Sequence, residues 1–403
     1  MIAEKYVKLV LAMGRHDPDY VDAYYGPPEW KEEAERDSVP LATLRARADS
    51  LDGEIHAIRL ARSDTLGAMR QRYLHQHTAA LVTRIRILQG EKLTFDEESQ
   101  ALYDAVAPRK DDAVFEPALA TLDSLLPGKG PLYERYENFR KAFVIPEDRA
   151  DTVFRAAIDE ARRRTREHIA LPDSETFTLE FVKNQPWSGY NWYQGGFRSL
   201  IQVNTDLPIY IDRAIDLACH EGYPGHHVYN ALLEQHLVTK RGWIEFTVYP
   251  LFSPQSLIAE GTANFGIEVA FPGRERVAFE RSRLFPLAGL DSARAAEYYD
   301  VMALVDQLSY AGNEAARRYL NGQIDAAAAT AWLERYALMP HDRAAQRLRF
   351  FDQYRSYVIN YNFGKDLVRK FIEARGGTPD HSDRRWREFE ALLSSPRLPS
   401  GLR

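Results

Sequence analysis

Apolar residues recur every three or four positions through most of the chain, the spacing that lines one face of an α-helix. MIAEKYVKLVLAM opens the sequence this way, with Lys5 and Lys8 interleaved. The same period predicts helices over Leu41 to Leu60, Leu66 to Gln89 and Asp148 to Ala170, the last closed by Leu171-Pro172. Proline and glycine break the pattern at DAYYGPPEW and at LPGKGPL, Leu126 to Leu132. Between Phe177 and Leu207 the character changes to β-branched and aromatic residues separated by turn signals, which predicts a small sheet with SLIQVNT as a strand. GGFRSLIQVNT reads either as an edge strand open to an extended peptide, with Arg198 and Asn204 near the cleft, or as a structural hairpin strand. The aromatic run Trp187, Tyr190, Trp192 and Tyr193 is expected to pack over this sheet. Helical patterning then returns: a helix starts at Ser253-Pro254 with serine as its cap, and others follow from about Arg294 to Glu373. The expectation is a mainly α protein with a small β-sheet beside its central helix. It divides into an N-terminal helical part, 1–170, and a part, 171–403, that holds the sheet and the C-terminal helices.

Composition narrows the class. With 403 residues, 45% apolar and 27% charged, the chain has the mix of a soluble globular protein. A net charge of −6 supplies no basic field for nucleic acid or anionic lipid. Arg162 to Arg166, interrupted by Thr165 and flanked by glutamates, reads as a solvated helix face. No apolar run is long enough to span a bilayer, and the N-terminus lacks the unbroken apolar core of a signal peptide. The single cysteine, Cys219, excludes an intrachain disulfide and fits a reducing compartment. A cytoplasmic protein without nucleic-acid or membrane partners is expected.

Candidate chemistry concentrates in LACHEGYPGHHVYNALLEQ, Leu217 to Gln235. A zinc helix of the HExxH type places two histidines four positions apart on one face, with the glutamate beside the ion as general base. Here His220-Glu221 is followed by His226 and His227, six and seven positions after the first histidine. On a straight helix six positions is about 9 Å of rise and roughly 240° of rotation, and seven is about 10.5 Å, so neither pair could share an ion. Pro224 changes that premise: it has no amide for the ladder, and its ring clashes with the carbonyl four residues back, that of His220. A bulge absorbing two residues would bring His226 into the ligand position and leave His227 behind it or facing substrate; a bulge of three would exchange them. The third protein ligand is expected from SLIAEGTANFGIE, with Glu260 favoured over Glu268. Such a set holds one Zn2+ ion and leaves a position for water, which Glu221 would activate. YRSYVINYNFGKD offers Arg355, Tyr357 and Tyr361 for oxyanion or substrate contacts, Arg355 being able to hold a substrate carboxylate.

HEGYPGHH resembles the HExxPGHH signature of a bacterial family known as domain of unknown function 885. AEGTANF is similar to that family's Glu-Gly-Trp-Ala segment and to the glutamate-bearing segment of gluzincin aminopeptidases. The family is thought to share its largely helical fold with the thermostable carboxypeptidases, whose motif reads HExGHALY. Setting GHHVY beside GHALY places Gly225 and His226 on that Gly-His. The resemblance implies His220, His226 and Glu260 as metal ligands and Glu221 and Tyr361 as catalytic residues; His227, Arg355 and Asn204 are supporting or substrate-binding candidates from their own positions in the sequence. It extends more weakly from about Pro186 to YNFGKDLV, and GTANF departs from it where tryptophan and tyrosine are usual. The expected activity is zinc-dependent hydrolysis of a peptide substrate, with carboxypeptidase-like cleavage as one form of it. The alternative is a metal-binding scaffold of peptidase-like fold without catalysis.

Overall fold

The computed structural model describes residues 1–185 and 187–403; Pro186, where the wider resemblance begins, lies outside the described residues. Helices form where the apolar period places them: α1 Ile2–Met13, α2 Leu41–His56, α3 Thr65–Leu88 and α4 Ala150–Arg166. α3 starts one residue before its first apolar position because Asp64 caps it, accepting from the Gly67 amide at 2.8 Å. The stretch from Arg294 to Glu373 breaks into five helices, which end in α8 and α9 described below.

The strands refine the expectation. β1, Val21–Tyr24, overlaps the start of the DAYYGPPEW break and was hidden by its proline-rich neighbour. The predicted sheet is β2 Thr176–Val182, β3 Gly189–Gly195 and β4 Arg198–Asn204, in the order β2-β4-β3. β4 pairs parallel to β2 and antiparallel to β3, so it is the central strand, and the edge-strand reading of GGFRSLIQVNT is corrected. Its core-facing positions Ser199, Ile201 and Val203 are buried, while both of its backbone edges are occupied by neighbours. β5, Val248–Pro250, pairs antiparallel with β1 and carries the N-terminal segment onto the second half of the chain.

The central elements are α5 Asp212–Leu217, α6 His226–Leu233, α7 Pro254–Ala270, α8 His341–Tyr354 and α9 Ile359–Ala374. Pro254 takes the first helical position of α7 as expected, but Ser253 does not cap it: its hydroxyl donates to the Pro250 carbonyl at 2.7 Å. One apolar core crosses the expected boundary at residue 170 and runs from Tyr6 to Leu402. Polar contacts cross it too, with Tyr73 Oη donating to Gln255 at 2.8 Å and Glu98 accepting from Arg355 and Ser356. No helix among the described residues is long and apolar enough to cross a membrane.

α7 and α9 pack backbone to backbone. A Cβ added at Gly261 would lie 2.6 Å from the carbonyl carbon and oxygen of Gly364. Gly261→Ala is therefore expected to force the helices apart and to cost about 1–3 kcal/mol of stability, read as a lowered denaturation midpoint. Because Glu260 and Tyr361 ride on these two helices, the same variant should also displace these two side chains relative to one another.

Candidate metal centre

The helix that carries His220 is interrupted where the proline argument places the break. α5 widens into a π-helical turn over Ala218–Gly222, the Tyr223 amide donating to the Ala218 carbonyl at 2.9 Å and the Gly225 amide to the Cys219 carbonyl at 2.8 Å. Tyr223-Pro224 is a cis peptide, and a new helix begins at His226. Gly225 is required by close approach, since a Cβ there would sit 2.0 Å from the His220 carbonyl oxygen. Across this bend His226 Nε2 comes to 3.2 Å from His220 Nε2, although the two are six residues apart.

Glu260, in the second turn of α7, completes the group: its Oε2 lies 3.3 Å from His220 Nε2 and its Oε1 3.9 Å from His226 Nε2. Bonds of about 2.0–2.1 Å to a tetrahedral ion place ligand atoms roughly 3.3 Å apart, so these donors have the spacing of three corners around one zinc. Glu260 Oε2 is buried without a hydrogen-bond partner, an uncompensated acceptor of the kind a cation satisfies. Burial pushes the Glu260 carboxyl up, but the neighbouring His220 and His226 imidazoles and the Tyr357 hydroxyl outweigh it and hold it below the usual glutamate range. Burial lowers His226 to about 4, so its nitrogens are neutral and able to ligate near pH 7. The donor set fits a zinc ion. The other three-donor group among the described residues, Asp52, His56 and His75, lies at the surface, with Asp52 and His75 already paired at 2.6 Å.

Around these donors are the groups a hydrolytic reaction needs. Glu221 is buried next to His220, and burial, opposed by His220 and reinforced by Glu260, raises its carboxyl to about 7. β3 passes directly over it: a Cβ at Gly189 would meet Glu221 Oε1 at 3.4 Å, and Asn191 donates to the Glu221 carbonyl at 2.7 Å. Tyr357 Oη donates to Glu260 Oε1 at 2.9 Å and so orients that carboxylate. The Tyr361 hydroxyl has no hydrogen-bond partner among the described residues; burial raises its pKa, with Glu260 and Glu221 adding to the effect. Asn264, from the GTANF segment, ties the two helices by donating to the carbonyls of Glu260 and Tyr361 at 3.0 and 3.3 Å. Asp22 in β1, bonded by the Tyr190 hydroxyl, also lines a cleft of about 830 Å³ beside Trp192 and Tyr193.

Three expected residues are placed elsewhere. His227 is fully buried and faces away from the donors, its Nδ1 2.8 Å from Ser199 Oγ and its Nε2 3.0 Å from Glu175 Oε2. A substrate contact for His227 is excluded by that burial. Asn204 closes a turn, donating to the carbonyls of Gln185 and Trp187, and Arg355 is paired with Glu98 at 2.5 Å. Glu175, which no sequence pattern marks, is the hub behind the motif. Burial raises its carboxyl, but bonds from His227, Tyr223, Arg162 and Arg166 prevail and bring it to about 2. The basic run read as a solvated face thus contributes Arg162 and Arg166 to this hub.

No family model and no curated protein matches the sequence. Solved structures do share its fold. A "putative lipoprotein" from Colwellia psychrerythraea superposes with a TM-score of 0.53 at 12% identity, over 92% of this chain and 64% of that one. The chain therefore spans less than two thirds of that protein's length. Looser likenesses are a second protein so described, of unknown function, from Shewanella oneidensis (TM-score 0.49, 11% identity, 93% and 75% covered) and an M32 carboxypeptidase from Deinococcus radiodurans R1 (0.46, 14%, 97% and 88%). At such identities what is shared is architecture: a mainly helical fold with a small sheet.

Proposed function

We propose that this protein is a metal-dependent hydrolase of peptide bonds, with His220, His226 and Glu260 holding one zinc ion. The observation that supports this reading most is the convergence of two imidazoles and a buried, unpartnered carboxylate oxygen within 4.8 Å of one another. A zinc ion in such a site supplies Lewis acidity toward a carbonyl and makes water a better nucleophile near neutral pH. Glu221 takes the proton of the attacking water and passes it to the leaving amine. Tyr361, with its hydroxyl uncommitted, donates to the oxyanion that forms as the carbonyl is attacked. Tyr357 keeps Glu260 in its ligating rotamer and takes no part in the proton transfers. The edge of β3 that has no strand partner would position an extended chain over Glu221, the role first considered for β4.

Chelation followed by reconstitution tests the reading. Protein stripped of metal should cleave no member of a broad peptide library, and one equivalent of zinc should restore cleavage. Stoichiometric zinc with no cleavage of any member would instead favour the non-catalytic scaffold.

A further inference from the structure

Away from the proposed centre, a second group of donors stands on the helix pair α2 and α3. Asp52 and His56 are four positions apart at the end of α2 and so share one of its faces. His75 reaches the same place from α3. One donor atom from each of the three lies within 4.8 Å of the other two, as in the group of His220, His226 and Glu260. Among the described residues two pairs of histidine rings meet edge to face. His220 and His226 have centroids 4.7 Å apart and planes at 89°; His56 and His75 are 4.4 Å apart at 78°. Two imidazoles this close bring two nitrogen ligands within reach of one ion, while Asp52 supplies charge for only one imidazolium.

The scaffold beneath these donors is fixed. Leu44, Ala48, Leu51 and Ile55 bury the inner face of α2, and Tyr73 and Leu74 are buried on α3. Gln71, one turn before His75, donates to the Ile55 carbonyl at 2.7 Å and ties the end of α2 to α3. The rings are held as ligating imidazoles commonly are, with one ring nitrogen bonded to an oxygen. His56 Nδ1–H donates to the Asp52 carbonyl at 2.9 Å, which leaves the lone pair on Nε2. His75 Nδ1 lies 2.6 Å from Asp52 Oδ1. That contact is shorter than the roughly 3.3 Å between two ligands of one zinc, so an ion bound by both atoms takes the place of the bridging hydrogen and parts them by about 0.7 Å. The side chains of His56, His75 and Asp52 are 60%, 37% and 31% exposed, so they can move that far and are open to an ion from solution.

We propose that Asp52, His56 and His75 form a second, exchangeable site for a divalent transition ion such as zinc, which clamps the end of α2 to α3. Two imidazoles and one carboxylate suit zinc, nickel or copper rather than calcium or magnesium, which take oxygen ligands. Water completes the coordination on the open side, and the ion exchanges with solution. Because it binds the folded helix pair and not the unfolded chain, its effect is on stability. The site does not depend on the peptidase reading.

Zinc is titrated by calorimetry into dialysed protein whose tightly held equivalent has been counted by elemental analysis. The parent should take up one further equivalent, which calcium does not displace. His56→Ala and His75→Ala should each abolish this uptake, while keeping the dialysis-stable equivalent and a thermal midpoint close to the parent's without free zinc. Asp52→Asn should weaken the uptake about tenfold or more. With free zinc at about a hundred times the dissociation constant, the parent's midpoint should rise by about 3 °C and that of the histidine variants should not. No further uptake by the parent, displacement by calcium, or uptake that survives both histidine substitutions overturns the clamp. Protein that holds no zinc after dialysis, yet takes up one equivalent that His56→Ala loses, would refute the centre at His220, His226 and Glu260 and leave the clamp standing.

Discussion

Glu221→Gln should abolish peptide hydrolysis while leaving zinc bound. Positioned proton transfer is worth about 10²–10⁴ in rate, and Glu221 adjoins His220 in the chain and neither belongs to the proposed ligand set nor pairs with an arginine or lysine among the described residues, so kcat should fall by at least the upper part of that range. Zinc content should stay at one equivalent, because His220, His226 and Glu260 are untouched. The variant also carries a stability signature that a ligand mutant would not. In the metal-free protein the Glu221 carboxyl titrates at about 7, against 4.5 in the unfolded chain. The folded state binds the extra proton, so the parent loses stability as pH rises from about 4.5 to about 7. Glutamine has no proton to lose. Metal-free Glu221→Gln should therefore become more stable than the metal-free parent across that window, by up to ~3 kcal/mol above it. Activity within tenfold of the parent on any cleaved peptide would remove Glu221 as the base.

Much of the fold was legible because helical periodicity is a local signal. α2, α3, α4 and α7 begin within two residues of where their apolar spacing or a proline puts them. β1 was not legible, since a four-residue strand held by β5 more than two hundred residues away leaves no pattern of its own. The order β2-β4-β3 was likewise set by tertiary pairing, which a list of β-prone segments does not contain. At the site, helix arithmetic showed that an unbroken helix could not chelate, and Pro224 showed where the break had to fall. The bend itself uses a π-helical turn, the non-helical residues Tyr223 to Gly225 and a fresh helix start at His226. What stayed hidden were the partners supplied from elsewhere: Glu175 behind His227 and Tyr357 on Glu260. Single charged residues in ordinary loop or helix sequence carry no mark of the pocket into which they fold.

The adjacent histidines His226 and His227 give the sharpest contrast. His226→Ala should lose zinc and activity together and remain folded, because its side chain is partly exposed and makes no contact with the core hub. Three protein ligands become two, which in a site of this kind removes stoichiometric binding. His227→Ala should do the opposite. The imidazole it removes is wholly buried between Ser199 and Glu175, so the change leaves a cavity and strips one charge-assisted bond from a buried carboxylate. Arg162, Arg166 and Tyr223 still hold Glu175, which limits the loss to about 2–4 kcal/mol, seen as a lowered thermal midpoint. Where the protein remains folded, zinc should still bind at one equivalent and His220, Glu221 and Glu260 should still work. Elemental analysis and thermal denaturation of the two variants side by side decide the register. Zinc lost from His227→Ala and retained by His226→Ala would mean that the bend absorbs three residues and that the two imidazoles have exchanged places.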